Sequence, residues 1–188
     1  MKVGVLALQG AFREHQKLLA DCGVESAQIR KPEQLEGLSA LIIPGGESTT
    51  MGKLLNEFNL FEPIIKLGQE GLPIFGTCAG LILLARDIAG STQPRLGLID
   101  MRVERNAFGR QVDSFEADID IAAVGAQPFR AVFIRAPYIL SVGSGVGALA
   151  RHGEKIVFAR QGRFLAAAFH PELTGDNRIH RYFLEKCL

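Results

Sequence analysis

Pro73-Ile74-Phe75-Gly76-Thr77-Cys78-Ala79-Gly80-Leu81-Ile82-Leu83-Leu84-Ala85 leads a short apolar strand into a cysteine set among small residues and then straight into a helical run. That order predicts a nucleophile elbow, because small neighbours let the chain turn sharply from strand to helix and aim the apical side chain out of the sheet edge. A cysteine there sits at a helix N-terminus, where unpaired N–H groups and the helix dipole favour thiolate over thiol. The competing reading is a buried structural cysteine beside a glycine turn, since free cysteine is among the most buried residue types.

Working outward, the first half alternates short apolar runs with longer amphipathic segments: 3–8 then 11–22, 40–43 then 50–58, and 74–75 then 79–88. Such alternation predicts a parallel sheet with helices on both faces, and the near-continuous aliphatic strands fit a sheet covered on both sides. Ligands in this architecture collect at the carboxyl ends of the strands. Gln9-Gly10, Pro44-Gly45-Gly46 and Gly76-Thr77-Cys78 all follow strand ends, so three glycine-bearing loops are expected to converge there. From Leu98 onward, strand-like stretches at 101–104, 131–134, 146–150, 156–159 and 164–169 are separated by glycine turns, which predicts a partly antiparallel addition on one edge. Residues 176–188 form a closing amphipathic helix with Thr174 or Asp176 as its N-cap. The expectation is one domain over 1–188: an α/β, flavodoxin-like three-layer α/β/α fold with a mostly parallel central sheet and added antiparallel strands.

Length and composition agree with a chain that buries a sizeable core: 188 residues, 47% hydrophobic and 22% charged. The 21 basic and 20 acidic residues nearly cancel, which argues against nucleic acid or an anionic membrane surface as partner. Three cysteines without metal-ligand spacing speak against a disulfide framework and for a reducing compartment, the cytoplasm. Cys22 and Cys187 are read as incidental. The apolar opening at 3–8 stops at Gln9-Gly10 and reads as a first strand, not a signal peptide, and no run is long enough to span a bilayer.

A cysteine nucleophile needs a base, and the base needs a group that orients it. Phe169-His170-Pro171-Glu172 offers both. If the chain stays extended there, the two-residue period puts His170 and Glu172 on one side, with Pro171 restricting the backbone between them. Alone, this pairing is weak; with the elbow it becomes specific. The loop Pro44-Gly45-Gly46-Glu47-Ser48-Thr49-Thr50 follows a buried strand and precedes a helix, so its N–H groups can approach a ligand or a developing oxyanion. It lacks the lysine of a phosphate loop. A helix N-cap by Ser48 or Thr49 is compatible with the same role. His15 and His180, in predicted helices, and His152, before a glycine turn, read as ordinary structural histidines without metal-ligand company. Phe108, Phe115 and Phe133 read as core or interface packing.

With these residues in place the chain resembles class I (triad-type) glutamine amidotransferases, and within them the glutaminase subunits of pyridoxal 5'-phosphate synthase. The elbow GTCAG, the PGG loop and the HPE pair occur in the class order. Finer matches are LQGAFREH at 8–15, PGGESTTM at 44–51, GTCAGLILLA at 76–85, VERNAFGRQVDSFEAD at 103–118, FIRAP at 133–137 and FHPELT at 169–174. The resemblance implies Cys78 as nucleophile with His170 and Glu172 completing the triad, and Gly46 and Ala79 as oxyanion-hole N–H donors. It implies an L-glutamine site formed by Gly46, Glu47, Ser48, Arg105, Ile134 and Arg135; a guanidinium suits the α-carboxylate of free glutamine. It places Gln9 and Gly10 near a partner contact that orders the oxyanion loop. The implied partner is a (β/α)8-barrel synthase subunit, within a large complex around a dodecameric synthase core, which uses the ammonia to make pyridoxal phosphate; this chain would bind neither cofactor nor metal. Rival readings are the glutaminase of another class I enzyme such as imidazole glycerol phosphate synthase, a stress-protein or peptidase-like member of related cysteine-elbow folds, and a non-catalytic glutamine sensor. PGGESTTM and VERNAFGRQ disfavour the first, the HPE pair and PGG loop the second, and the intact triad the third.

Overall fold

The computed structural model describes residues 1–105 and 114–188. Phe108 and the middle of the VERNAFGRQVDSFEAD segment, 106–113, lie outside the described residues. The parallel half is built from β1 (Lys2–Leu6), α1 (Phe12–Asp21), β2 (Glu25–Ile29), β3 (Ala40–Ile43), α2 (Ser48–Glu57), α3 (Phe61–Gln69) and β4 (Ile74–Thr77). β1 pairs in parallel with β2 on one side and β3 on the other, and β3 pairs in parallel with β4. The chain thus steps one way from β1 to β2 and the other way from β3 to β4. Right-handed crossovers then place α1 on one face and α2 with α3 on the opposite face. Burial on both faces explains why β3 is aliphatic throughout and why no residue of β3 or β4 is exposed.

The second half contributes α4 (Ala79–Leu84), β5 (Ala85–Ile88), β6 (Ile99–Glu104), β7 (Ser114–Ile119), β8 (Phe129–Ile134), β9 (Tyr138–Val142), β10 (Gly147–His152), β11 (Lys155–Gln161), β12 (Phe164–Ala167) and α5 (Arg178–Lys186). Among the described residues the main sheet runs β2-β1-β3-β4-β12-β11-β9-β6-β5, with β10 on β11 and a separate β7-β8 pair. The expected antiparallel addition is present in β11, β9, β6 and β10. A core extending from Val3 to Cys187 joins both halves. Each fully buried large side chain in it, such as Phe75, Phe158 or Phe183, contributes about 1.5–3 kcal/mol by leaving water.

Three expectations are corrected and one strand is added. The strand read at 164–169 ends at Ala167 and is the seam of the sheet, not its edge: β12 is antiparallel to β11 and parallel to β4, with Ala167 opposite Thr77. The helix read over 79–88 stops at Leu84, and residues 85–88 pair with β6 as β5; a continuous apolar run does not by itself show where period 3.6 gives way to period 2. β2 was not legible, since Glu25-Ser26-Ala27-Gln28-Ile29 is an edge strand with one buried residue. Finally, the N-cap position of α5 is Asn177, whose side chain makes no capping hydrogen bond. Asp176 instead accepts from the N–H of Arg178 at 3.0 Å, and Thr174 Oγ1 from the N–H of Asp176 at 3.2 Å.

Candidate active site

Cys78 stands where β4 becomes α4, with φ 48° and ψ −100°. A non-glycine residue in that region is strained, and the surroundings must hold it there. Its own N–H still donates to Ala167 O at 2.8 Å, so the β4-β12 ladder runs up to the apex. The side chain is nearly buried, 6% exposed. Three residues beyond Ala167, the N–H of His170 donates to Val132 O of β8 at 2.8 Å. His170 is therefore fixed from two sides, at the carboxyl end of the strand adjacent to the elbow.

The chain does not stay extended after His170. Pro171–Leu173 form a short 3-10 turn, which replaces the expected two-residue alternation and curls Glu172 back beneath the ring. His170 Nδ1–H donates to Glu172 Oε1 at 2.7 Å, which leaves Nε2 as the ring nitrogen available to Cys78, whose Sγ lies 3.9 Å from Ile134 O. Burial works against protonating His170, but hydrogen bonds to Cys78 and Glu172 and their charges outweigh it and raise its pKa to about 10.

The PGG loop lies against this pair. A Cβ on Gly45 would meet the His170 ring and sit 3.3 Å from Cys78 Cβ, so only glycine lets the backbone pass this close. Behind the loop, Gly10 (φ 89°) has no room for a Cβ because the Gly45 carbonyl occupies it. Gln9 Oε1 accepts from the N–H of Glu47 at 3.2 Å. The N-cap of α2 is Glu47, where Ser48 or Thr49 was expected. Its carboxylate accepts from the N–H groups of Thr49 and Thr50, at 3.0 and 2.7 Å, and from the Thr50 hydroxyl at 2.8 Å. Although partial burial opposes ionisation, those donors bring its pKa down to about 2.

Gly46, Glu47, Ser48, Cys78, Ile82, Arg105, Ile134, Arg135 and His170 line one cleft of about 200 Å³. That is smaller than the ~300–1,000 Å³ typical of drug-sized ligands and suits a single small molecule. All six residues expected to contact the substrate are in this lining. Ile82 is an addition, whereas Ala79 is fully buried and its place is the first turn of α4. Arg105 Nη1 donates to Thr49 Oγ1 at 3.1 Å and Gln93 Oε1 at 2.8 Å. Arg135 has φ 41°, a second strained residue at the cleft wall. Cys22 and Cys187 are remote from this chemistry; burial pushes the Cys187 thiol up to about 11 and raises Cys22.

Sequence reading missed Gln93, which also receives the hydroxyls of Ser48 and Thr49 at 3.4 Å each; nothing in its loop signals the role. It read His15 and His180 as structural helical histidines and did not see that they meet. Both are fully buried, with Nδ1 of His15 2.8 Å from Nε2 of His180, and His15 lies beside Glu172. Their spacing of 165 positions hides the pairing. Phe115 and Phe133, by contrast, stack at 4.7 Å as packing residues, with His152 beside them. Among the described residues no group of three or more His, Cys, Asp or Glu could hold a metal ion, and no helix is long and apolar enough to cross a membrane.

Residues 5–188 match the model of the SNO glutamine amidotransferase family. The chain is 80% identical over 188 residues to the pyridoxal 5'-phosphate synthase subunit PdxT of Pelotomaculum thermopropionicum, covering 100% of this chain and 96% of that protein. It is 67% identical over 185 residues to the PdxT subunit of Desulforamulus reducens, covering 98% of each. A solved structure described as a glutamine amidotransferase superposes with a TM-score of 0.93 at 56% identity, covering 98% of both chains.

Proposed function

The chain belongs to the SNO glutamine amidotransferase family, and from that premise we propose how its cleft carries out glutamine hydrolysis. The protein is a glutaminase subunit of pyridoxal 5'-phosphate synthase and supplies ammonia for vitamin B6 synthesis. The observation that carries the reading is the parallel pairing of β4 with β12, which sets Cys78 and the Glu172-anchored His170 at adjacent strand ends, facing one small cleft.

In this reading the Cys78 thiolate attacks the side-chain carboxamide carbon of glutamine, and the carbonyl oxygen becomes an oxyanion. The N–H groups of Gly46 and of Ala79, the first residue of α4, receive that charge. His170 gives its proton to the departing nitrogen, the C–N bond breaks, and ammonia leaves a glutamyl thioester on Sγ. His170 then takes a proton from water, which attacks the thioester; the C–S bond breaks and glutamate is released. Glu172 keeps Nδ1 protonated and stabilises the imidazolium. Arg105 and Arg135 hold the α-carboxylate, while Gly46, Glu47, Ser48 and Ile134 shape the remaining wall.

The chain works with a synthase partner, as the name of its relatives states for them. We assign that partner a (β/α)8-barrel form in a large complex around a dodecameric core, docked near Gln9-Gly10, with the whole of 1–188 acting as one domain in the cytoplasm. Glutamate release measured with and without the purified synthase subunit, for the native chain and Cys78→Ala, tests the reading. Glutamine-dependent turnover lost in the variant supports it; unchanged turnover overturns it.

A further inference from the structure

Glu172 has two carboxylate oxygens in a site without solvent, and the triad uses one. Oε1 accepts from His170. Oε2 is buried with no hydrogen-bond partner in range, and the group facing it is Nε2 of His15, at 3.5 Å, both side chains being fully buried. His15 Nε2 is also 3.2 Å from Thr77 Oγ1, and its Nδ1 is 2.8 Å from Nε2 of His180. His180 Nδ1 is buried without a partner. The chain of groups thus runs His180, His15, Glu172, His170 and Cys78, from α5 through α1 to the elbow.

Two hydrogen arrangements fit the His15–His180 and His15–Thr77 contacts, and one of them suits the facing carboxylate better. Were His15 to carry its proton on Nδ1, it would donate to His180 Nε2. His180 would then hold its own proton on Nδ1, an orphaned buried N–H, while the bare Nε2 of His15 would face the carboxylate oxygen. Placing both protons on Nε2 removes the orphaned N–H and turns a positive edge to the carboxylate: His180 Nε2–H donates to His15 Nδ1, and His15 Nε2–H lies 3.2 Å from Thr77 Oγ1 and 3.5 Å from Glu172 Oε2, the latter an electrostatic contact longer than a hydrogen bond. What remains is an unfilled acceptor on His180, the cheaper defect, because orphaned N–H groups are rarer in proteins than under-used acceptors. Burial lowers the pKa of His180 to about 4 and that of His15 well below its usual value, the neighbouring imidazoles adding to the effect on His15. Both rings are accordingly neutral.

We infer that His15 is a positioning residue for glutamine hydrolysis: its Nε2–H, held in that tautomer by His180, fixes the Glu172 carboxylate in the orientation that receives His170. The inference rests on the triad reading above. It assigns α1, the helix that begins just past the Gln9-Gly10 turn, a direct grip on the catalytic carboxylate.

Nitrogen-15 NMR of the native chain at neutral pH reads the tautomers directly. Both His15 and His180 are expected neutral and protonated on Nε2, and a proton on Nδ1 of His15 overturns the inference. In the synthase-bound complex, His15→Phe removes the donor from a buried carboxylate and is expected to lower kcat by about tenfold at unchanged KM. His15→Gln, which returns an N–H near the position of Nε2, is expected to recover most of that loss, a rescue that a packing role would not show. Native kcat in folded His15→Phe, with Cys78→Ala inactive, overturns the positioning role and leaves the triad intact. An active Cys78→Ala overturns the triad itself. If His15→Phe fails to fold, the tautomer measurement on the native chain decides.

Discussion

Replacing Gly45 with alanine adds one methyl group at the point where the PGG loop passes His170, the proposed base. The new Cβ would lie 2.8 Å from Nδ1 of His170, closer still to its Cε1, and 3.3 Å from Cys78 Cβ. Ordinary carbon contacts begin near ~3.5 Å, so the imidazole must retreat by roughly 1 Å or the loop must. Neither has space. The ring is held by Glu172 Oε1 at 2.7 Å from Nδ1, so any retreat strains that bond, and behind the loop the Gly45 carbonyl abuts Gly10. A misplacement of about 1 Å in a catalytic group costs about 10²-fold in rate. Gly45→Ala is therefore expected to lower kcat by about that factor in the synthase-bound enzyme. KM should change much less, because Gly45 is not among the residues lining the cleft. Steady-state glutamate production gives both constants, and a thermal melt checks that the variant is folded. A folded Gly45→Ala protein with native kcat would refute the claim that close approach of loop and base is needed.

A glutamine-like diazo-ketone is expected to add its mass to Cys78 alone, since burial raises both Cys22 and Cys187 away from the thiolate; peptide mass mapping that finds Cys78 unmodified contradicts the nucleophile assignment. Truncating Arg105 or Arg135 is expected to raise KM by more than it lowers kcat, and unchanged KM in both variants removes them from the carboxylate site. The pH dependence of stability has a definite sign. His170 has a folded pKa of about 10 against an ordinary 6.5, so its contribution is complete below about 6.5 and declines as pH rises through 10. His180, with a folded pKa of about 4, acts in the other direction, favouring unfolding as pH falls from 6.5 towards 4. Melting temperatures of His170→Asn should fall less than those of the native chain between pH 7 and 10, and those of His180→Phe less between pH 6.5 and 4; equal slopes would contradict these shifts.

The parts of the site that lie close in sequence were legible. Cys78 carries its own local signature because an elbow is made by the residues on either side of it, and the same holds for Gly45-Gly46 and for His170 with Glu172. The turn that joins the last two was not, since Pro171 permits both an extended chain and the 3-10 turn observed. What escaped were relations created by the sheet order. The placement of β12 next to β4 is what brings residue 170 to residue 78, and no property of 164–169 distinguishes a central parallel strand from an antiparallel neighbour. The same reason hides His15 and His180, each an unremarkable helical residue until α1 and α5 meet. Gln93 is a third case: it joins Arg105 to Ser48 and Thr49 from a loop without a motif.

The Gln9-Gly10 turn has contacts on both sides that bear on when the enzyme should fire. Towards the cleft, Gln9 accepts from Glu47, next to the proposed oxyanion donor Gly46, and Gly10 backs the Gly45 carbonyl. Towards the interior, the chain continues directly into α1, whose His15 lies against Glu172. A partner pressing on this turn can therefore alter the proposed oxyanion donors and the proposed triad carboxylate together. Such control has a chemical purpose, because free ammonia is largely protonated near neutral pH and ammonium is a poor nucleophile, so glutamine hydrolysed away from the synthase is wasted. Low glutaminase activity is expected for the chain alone, with a clear rise when the synthase subunit is bound. Gln9→Ala should reduce that rise without preventing binding, because it removes the acceptor for Glu47 but leaves the turn's surface largely in place. Equal glutaminase rates with and without a verified, bound synthase subunit would refute coupling through this turn, and they would leave the chemistry at Cys78 untouched.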